Sequence, residues 1–247
     1  VNSMLLVLSS IEDAFALSHN LDTSYFDKVK NFSENRAKTY LAGRALLQSV
    51  LHHFYSIESL PNIKKTEKGK PFFDDGASNP CRKLPFFNIS HSRKAIGVAV
   101  SSYDLGIDLE FVKKRVRFEE LKEKVLSSGE IDLLKALDEE SQLKEFTAFW
   151  TIRESLLKLS GFGLAHLEKV KVDVANAKIS YEALFSEGIN NRVLNTVNLS
   201  QYAGLLDENA YLSYSLYQGE ESSIYKLDKD KFIKLASPKI NYIYSVN

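Results

Sequence analysis

Gly106-Ile107-Asp108-Leu109-Glu110 is the stretch on which the reading of this 247-residue chain turns. A glycine ahead of alternating apolar and acidic residues reads as a β-strand that carries Asp108 and Glu110 on one face. A second run, Phe149-Trp150-Thr151-Ile152-Arg153-Glu154-Ser155-Leu156-Leu157-Lys158, reads as a helix. Its Glu154 and Lys158 stand at i and i+4 and share a face. The two elements together gather three carboxylates and one ammonium. Carboxylates brought that close repel one another, which raises their pKa values unless a cation sits among them. Oxygen ligands without a supporting His or Cys suit Mg²⁺, which completes its shell with water and substrate phosphate. The combination points to metal-assisted phosphate chemistry.

Working outward, the N-terminal side predicts a first strand at Met4–Leu8 and a long amphipathic helix over Glu34–Tyr55. Ser33 is its N-cap, and Tyr40, Leu47, Val50, Leu51 and Phe54 form its apolar face. Strands follow at Ile63–Glu67, Phe72-Phe73, Phe86–Ile89 and Ala95–Ser101. Lys68-Gly69-Lys70-Pro71 forms a turn between the first two, and Asp74–Pro80 is a surface loop. Beyond Gly106 come helices at Phe118–Leu126, Gly129–Leu137 and Gln142–Leu159, the last stopped by Gly161-Phe162-Gly163. Strands at Val170–Val174, Ala177–Tyr181 and Tyr211–Tyr217 complete this half. The segment 220–247 reads as a polar tail whose Ile240–Tyr244 packs as an extra strand. Helix and strands in two successive sets predict two α+β lobes, 1–104 and 105–219, with the site near their junction.

Composition narrows the function classes. Apolar residues at 44% and charged residues at 26% are those of an ordinary soluble protein. Lys+Arg and Asp+Glu both number 32, so no overall field favours nucleic acid or a membrane surface. One cysteine, Cys81, excludes an internal disulfide framework and suits a reducing cytoplasm. Met4–Leu8 is too short for a signal core or a membrane span and lacks a basic flank. The charge is uneven, however. Lys28 to Lys70 holds nine basic residues against Glu34, Glu58 and Glu67, and Lys113, Lys114, Arg115 and Arg117 follow the Asp-x-Glu strand. Alone, such runs are solvated faces; beside a phosphate site they are candidate anion contacts.

Each motif also has a bland reading. Asp108 and Glu110 alone fit the exposed face of an edge strand, and Glu154 with Lys158 alone fits a helix salt bridge worth about 0.3–0.5 kcal/mol. Phe87-Asn88-Ile89-Ser90-His91-Ser92 ends a strand with Ser-His-Ser. Its histidine reads as a core residue, as half of a hydrolase pair, or as a phosphate or base contact. No Gly-x-Ser-x-Gly elbow is present and adjacent Ser and His do not reach nucleophile–base geometry, which favours the contact role.

The ordered set of Gly69-Lys70-Pro71, Phe87–Ser92, Gly106–Glu110 and Trp150-x-x-Arg153-Glu154-Ser155-x-x-Lys158 resembles the Sfp-type 4'-phosphopantetheinyl transferases, over roughly residues 24 to 175. The resemblance implies an α+β (α/β) fold of two similar lobes related by a pseudo-twofold, with coenzyme A, the substrate, in the cleft between them. It implies Mg²⁺, with Mn²⁺ as an alternative, held by Asp108, Glu110 and Glu154. Glu154 would also take the proton from the serine of an apo acyl, peptidyl or aryl carrier protein, and Lys158 would neutralise the departing 3',5'-ADP. Gly69, Lys70, Ser90 and His91 would contact the nucleotide, with Lys28, Lys30, Arg44, Lys65 and Lys68 toward its 3'-phosphate. Arg153 stands where the family usually has Lys and would reach the pyrophosphate as a fork instead of a point charge. A cytoplasmic monomer, without nucleic acid or membrane partner, is the corresponding expectation. Two rivals are a Mg²⁺-dependent nuclease and a catalytically silent carrier-binding protein. Zero net charge and the Glu-x-x-x-Lys spacing argue against the first, and a complete set of metal ligands against the second.

Overall fold

Unbroken apolar character in β1 (Ser3–Ser10) has a simple cause: both faces of this strand are covered. The computed structural model describes residues 3–74, 84–162, 164–181, 192–199, 209–217, 220–237 and 239–246. After β1 come two short helices, α1 (Ile11–Ala16) and α2 (Thr23–Lys28), and the long α3 (Glu34–Tyr55). Strands β2 (Ile63–Lys65), β3 (Pro71–Phe73), β4 (Phe86–Ser92), β5 (Ala95–Ser101) and β6 (Ile107–Phe111) follow. Helices α4 (Phe118–Val125), α5 (Ser128–Lys135) and α6 (Glu139–Ser160) lead into β7 (Val170–Asp173) and β8 (Lys178–Tyr181). The remaining described strands are β9 (Arg192–Asn198), β10 (Ala210–Tyr217), β11 (Glu221–Asp228), β12 (Lys231–Lys234) and β13 (Ile240–Val246).

These strands make a five-stranded sheet, β12-β11-β1-β5-β4, a six-stranded sheet, β6-β10-β9-β13-β8-β7, and the hairpin β2-β3. The fold is thus mixed α+β. Leu5 and Val7 of β1 pack with Leu46, Leu47, Val50 and Leu51 of α3. Met4, Leu6 and Leu8 point the other way, into a core shared with Ile107 and Leu109 of β6 and Leu212 of β10. On the far side of the second sheet Phe149, Ile152, Leu156 and Leu159 of α6 pack on Val170, Ile179, Leu194 and Val246. Each of the two larger sheets therefore packs one 22-residue helix on one face and the shared core on the other. Full burial of each such side chain stabilises by about 1.5–3 kcal/mol.

The expected helices and strands are present, with differences at the ends. β4 runs on through Ser92, and α6 begins at Glu139 because Asp138 caps it, accepting from Ser141 N. The loop expected at Asp74–Pro80 lies outside the described residues after Asp74. The segment from residue 220 is not an appendage. β11 pairs parallel with β1, β12 pairs with β11, and β13 lies between β9 and β8 in the other sheet. β11 reads as polar because only Ile224 and Leu227 supply its buried apolar contacts. No helix among the described residues is long and apolar enough to cross a membrane.

Candidate active site

β4 and β6 are edge strands of different sheets, and side chains stitch them together. The Ile107 amide donates to Asn88 Oδ1 (3.2 Å), and the Leu109 amide to Ser90 Oγ (3.0 Å). Alternation in the two strands then matches their rungs. The Ser90 hydroxyl donates to Asp108 Oδ1 at 3.0 Å, and the Ser92 hydroxyl to Glu110 Oε2 at 2.9 Å. Both carboxylates are held in place by the neighbouring lobe.

α6 brings the remaining groups, and Gly106 sets how near it comes. A Cβ at this position would lie 2.0 Å from the Ser155 carbonyl oxygen and 2.6 Å from the Leu159 nitrogen, so only glycine allows the helix backbone to rest there. At that distance Lys158 Nζ donates to Asp108 Oδ1 (2.6 Å) and Ser90 Oγ (2.9 Å). Asp108, Glu110 and Glu154 each offer an oxygen, all within 4.8 Å of one another. Burial pushes Glu154 up to about 8; the charges of Asp108 and Glu110 add to the rise, while Lys158 and a hydrogen bond from Trp150 oppose it. That bond runs from Trp150 Nε1 to Glu154 Oε1 at 2.5 Å. Asp108 Oδ2 is buried without a hydrogen-bond partner. Crowded carboxylates with an orphaned buried oxygen and no nitrogen or sulfur donor fit a hard divalent cation.

Beside this cluster opens a cleft of about 240 Å³, lined by Lys68, Gly69, Lys70 and Pro71 from one side and by Leu157, Lys158, Gly161 and Phe162 from the other. Gly161 adopts φ +78 as the C-cap of α6, which turns the chain along this wall. Lys68 Nζ lies 3.5 Å over the Phe162 ring. Lys70 lends its backbone to the cleft, but its ammonium is turned inward to Asp104 Oδ1 and the Leu159 carbonyl, both at 2.5 Å. Burial pulls its pKa below the usual lysine value, against the upward pull of Asp104.

Other expected contacts are placed differently. Arg153 does not reach the cleft: it is 0% exposed, and its Nη1 and Nη2 donate to Glu130 Oε1 (2.8 Å) and Oε2 (2.6 Å). Successive residues of a helix diverge by about 100°, so Arg153 and Glu154 cannot face the same side. Ser90 is buried and its hydroxyl is spent on Asp108, Leu109 and Lys158, which leaves nothing for a nucleotide. His91 stands on the opposite, more open side of β4; partial desolvation of its ring and the Lys158 charge lower its pKa, against the pull of Asp108 and Glu110. Lys28 lies over Tyr25, Lys30 pairs with Asp27, Arg44 lies over Tyr40, and Lys65 is exposed on β2. In the basic run after β6, Lys114 pairs with Glu139 and Arg117 with Glu120 at the surface, while Arg115 turns inward onto Trp150.

The sequence gives no role to Ser92, Glu130 or the Trp150 indole. Ser92 was within reach, since it shares the period-two face of Ser90. Glu130 also leaves a signal: Ser127-x-x-Glu130 is a capping box at the start of α5, and the same carboxylate receives Arg153.

A model of the 4'-phosphopantetheinyl transferase superfamily matches residues 104–207, which include all three carboxylates and Lys158. The chain is 32% identical over 145 residues to the 4'-phosphopantetheinyl transferase HetI of Nostoc sp., covering 57% of this chain and 59% of that protein. To AcpT of Salmonella typhimurium, a 4'-phosphopantetheinyl transferase, it is 34% identical over 127 residues, covering 51% and 60%. To a putative 4'-phosphopantetheinyl transferase of Haemophilus influenzae it is 31% identical over 169 residues, covering 66% and 67%. The matched part thus spans about six-tenths of HetI and of AcpT.

Proposed function

Because the chain belongs to the 4'-phosphopantetheinyl transferase superfamily, we propose that it moves the 4'-phosphopantetheine group of coenzyme A onto a serine of an apo acyl or peptidyl carrier protein. The observation that carries this reading is the cluster of Asp108, Glu110 and Glu154 within 4.8 Å, beside a cleft between the lobes. These three residues would hold a divalent cation, Mg²⁺ or Mn²⁺, which neutralises charge on the pyrophosphate when bound.

The serine hydroxyl of the carrier attacks the phosphorus that bears pantetheine. Its proton passes to Glu154, and the phosphorus–oxygen bond to 3',5'-ADP breaks, the leaving group keeping the bonding pair. Without metal, burial and its acidic neighbours raise Glu154 to about 8; a bound cation would offset that repulsion and keep it a carboxylate able to accept the proton, and the Trp150 N–H fixes its orientation. Lys158, one helical turn on, offsets charge on the departing nucleotide. Lys68, Gly69, Lys70 and Phe162 line the wall against which the nucleotide rests. The attacking group belongs to the partner, in keeping with the lack of a nucleophile–base pair in the sequence motifs.

The test is incubation with coenzyme A, Mg²⁺ and a panel of apo-carriers, read by intact mass. One carrier gains the phosphopantetheine mass with the wild-type chain and not with Asp108→Ala. A chain that modifies no carrier, or an Asp108→Ala variant that works at the wild-type rate, sinks the proposal.

A further inference from the structure

Arg115 is a buried charge that the transfer scheme leaves unused. Its side chain is 13% exposed, and the guanidinium carbon lies 4.2 Å from the centre of the Trp150 ring and 5.6 Å from that of Phe146. Nη2 stands 4.0 Å from Glu110 Oε1, and Nε and Nη2, on one edge of the guanidinium, are buried without hydrogen-bond partners. Leaving two donors of a charged group unpaired is costly, and a methionine would fill the same space between two aromatic rings without that cost. The compensation comes from the indole face and from Glu110, Glu154 and Asp108, whose charges favour the cation against burial. Glu110 is held on its other oxygen by Ser92, with Lys113 Nζ at 3.6 Å, and Glu154 by Trp150. Arg115 therefore touches both supports that the strand and the helix extend to the cluster.

We infer that Arg115 is a positioning residue for the carboxylate cluster, acting on Glu110 through charge and on Glu154 through the Trp150 ring on which it stacks. This rests on the cluster being a divalent-cation site, and it does not depend on which group the enzyme transfers.

Trp150 is the single tryptophan of the chain, so intrinsic emission reports directly on the stacked pair. Mn²⁺ binding to the full chain, followed by electron paramagnetic resonance of free Mn²⁺, and Trp150 emission are measured for wild type, Arg115→Lys and Arg115→Met. A positioning role predicts that Arg115→Met weakens Mn²⁺ binding about tenfold, as loss of a second-layer partner does, and changes the emission spectrum. Arg115→Lys falls between, because it keeps a cation without the flat face. Simple charge proximity predicts the opposite sign, since removing a cation tightens the binding of another. Unchanged or tighter Mn²⁺ binding in Arg115→Met, or unchanged emission, overturns the inference. Should Arg115→Met lose its near-ultraviolet circular dichroism, Arg115→Lys is judged by the same criterion. A wild-type chain that binds no Mn²⁺ shows instead that the metal site itself is misassigned.

Discussion

Arg153 and Glu154 are neighbours on α6, yet they belong to two ionic clusters built on opposite terms. Arg153 and Glu130 are both 0% exposed and meet as a two-pronged pair, with Ser127 completing the carboxylate's shell. In that cluster one cation faces one anion and the hydrogen bonds of the carboxylate are filled. On the other side of the helix three carboxylates crowd together with Lys158, Lys113 and Arg115 around them, Asp108 Oδ2 unpaired and Glu154 forced toward its neutral form. A matched pair rigidifies the join between α5 and α6. In the second cluster the chain's own cations stand around the carboxylates, and the buried Asp108 Oδ2 is left for one from outside. The difference shows one helix serving stability on one face and chemistry on the other.

The largest effect belongs to the unmatched side. Glu154→Gln keeps an acceptor for Trp150 but removes a ligand and the proton acceptor, so kcat for carrier modification should fall about 10⁴-fold, about 5–6 kcal/mol. The same substitution relieves repulsion, so thermal stability measured without metal should hold or rise. A loss of stability comparable to that at Arg153 would erase the contrast.

Next comes the matched side. Arg153→Ala leaves Glu130 buried and unpaired, and urea unfolding should show a loss of about 3–4 kcal/mol. Arg153→Lys should recover part of that, because a point charge cannot make both prongs. KM for coenzyme A should stay within about twofold wherever the variant folds. A selective rise in that KM would return Arg153 to the substrate site.

The smallest effect is a slope. Glu154 has an ordinary value of 4.5 and is raised to about 8 in the fold. Between those values the native state binds more protons than the unfolded chain, so stability falls as pH rises. The metal-free protein should be less stable at pH 8 than at pH 5 by on the order of 2 kcal/mol relative to Glu154→Gln, in which this contribution is absent. Saturating Mg²⁺ should flatten the slope. Equal slopes for both proteins would mean that the cluster is less crowded than its geometry indicates.

Much of the site was legible in the linear sequence because period and spacing suffice for it. Alternation puts Asp108 and Glu110 on one face, and i, i+4 puts Lys158 with Glu154. What was not legible depended on facing direction across elements. Nothing in Trp-x-x-Arg-Glu says that Arg153 meets Glu130 on α5, or that the ammonium of Lys70 turns to Asp104 and the end of α6. Arg115 read as one more surface cation in a basic run, and its inward turn follows from the path of the chain between β6 and α4. In the fold, β9 was missed because buried Arg192, Asn195 and Thr196 break its apolar pattern. Buried polar partners, such as Ser213 for Thr196, are invisible until the strands are paired.

The parallel pairing of β11 with β1 reaches beyond architecture, into the order in which the molecule can assemble. β1 waits for a strand far along the chain before this edge is covered, and the six-stranded sheet likewise needs β13 between β9 and β8. The five-stranded sheet cannot be completed until β11 and β12 join β1, β4 and β5, so contacts distant in sequence dominate the late steps and slow them. Until β11 arrives, the apolar Met4–Leu8 of β1 offers an open edge to another chain.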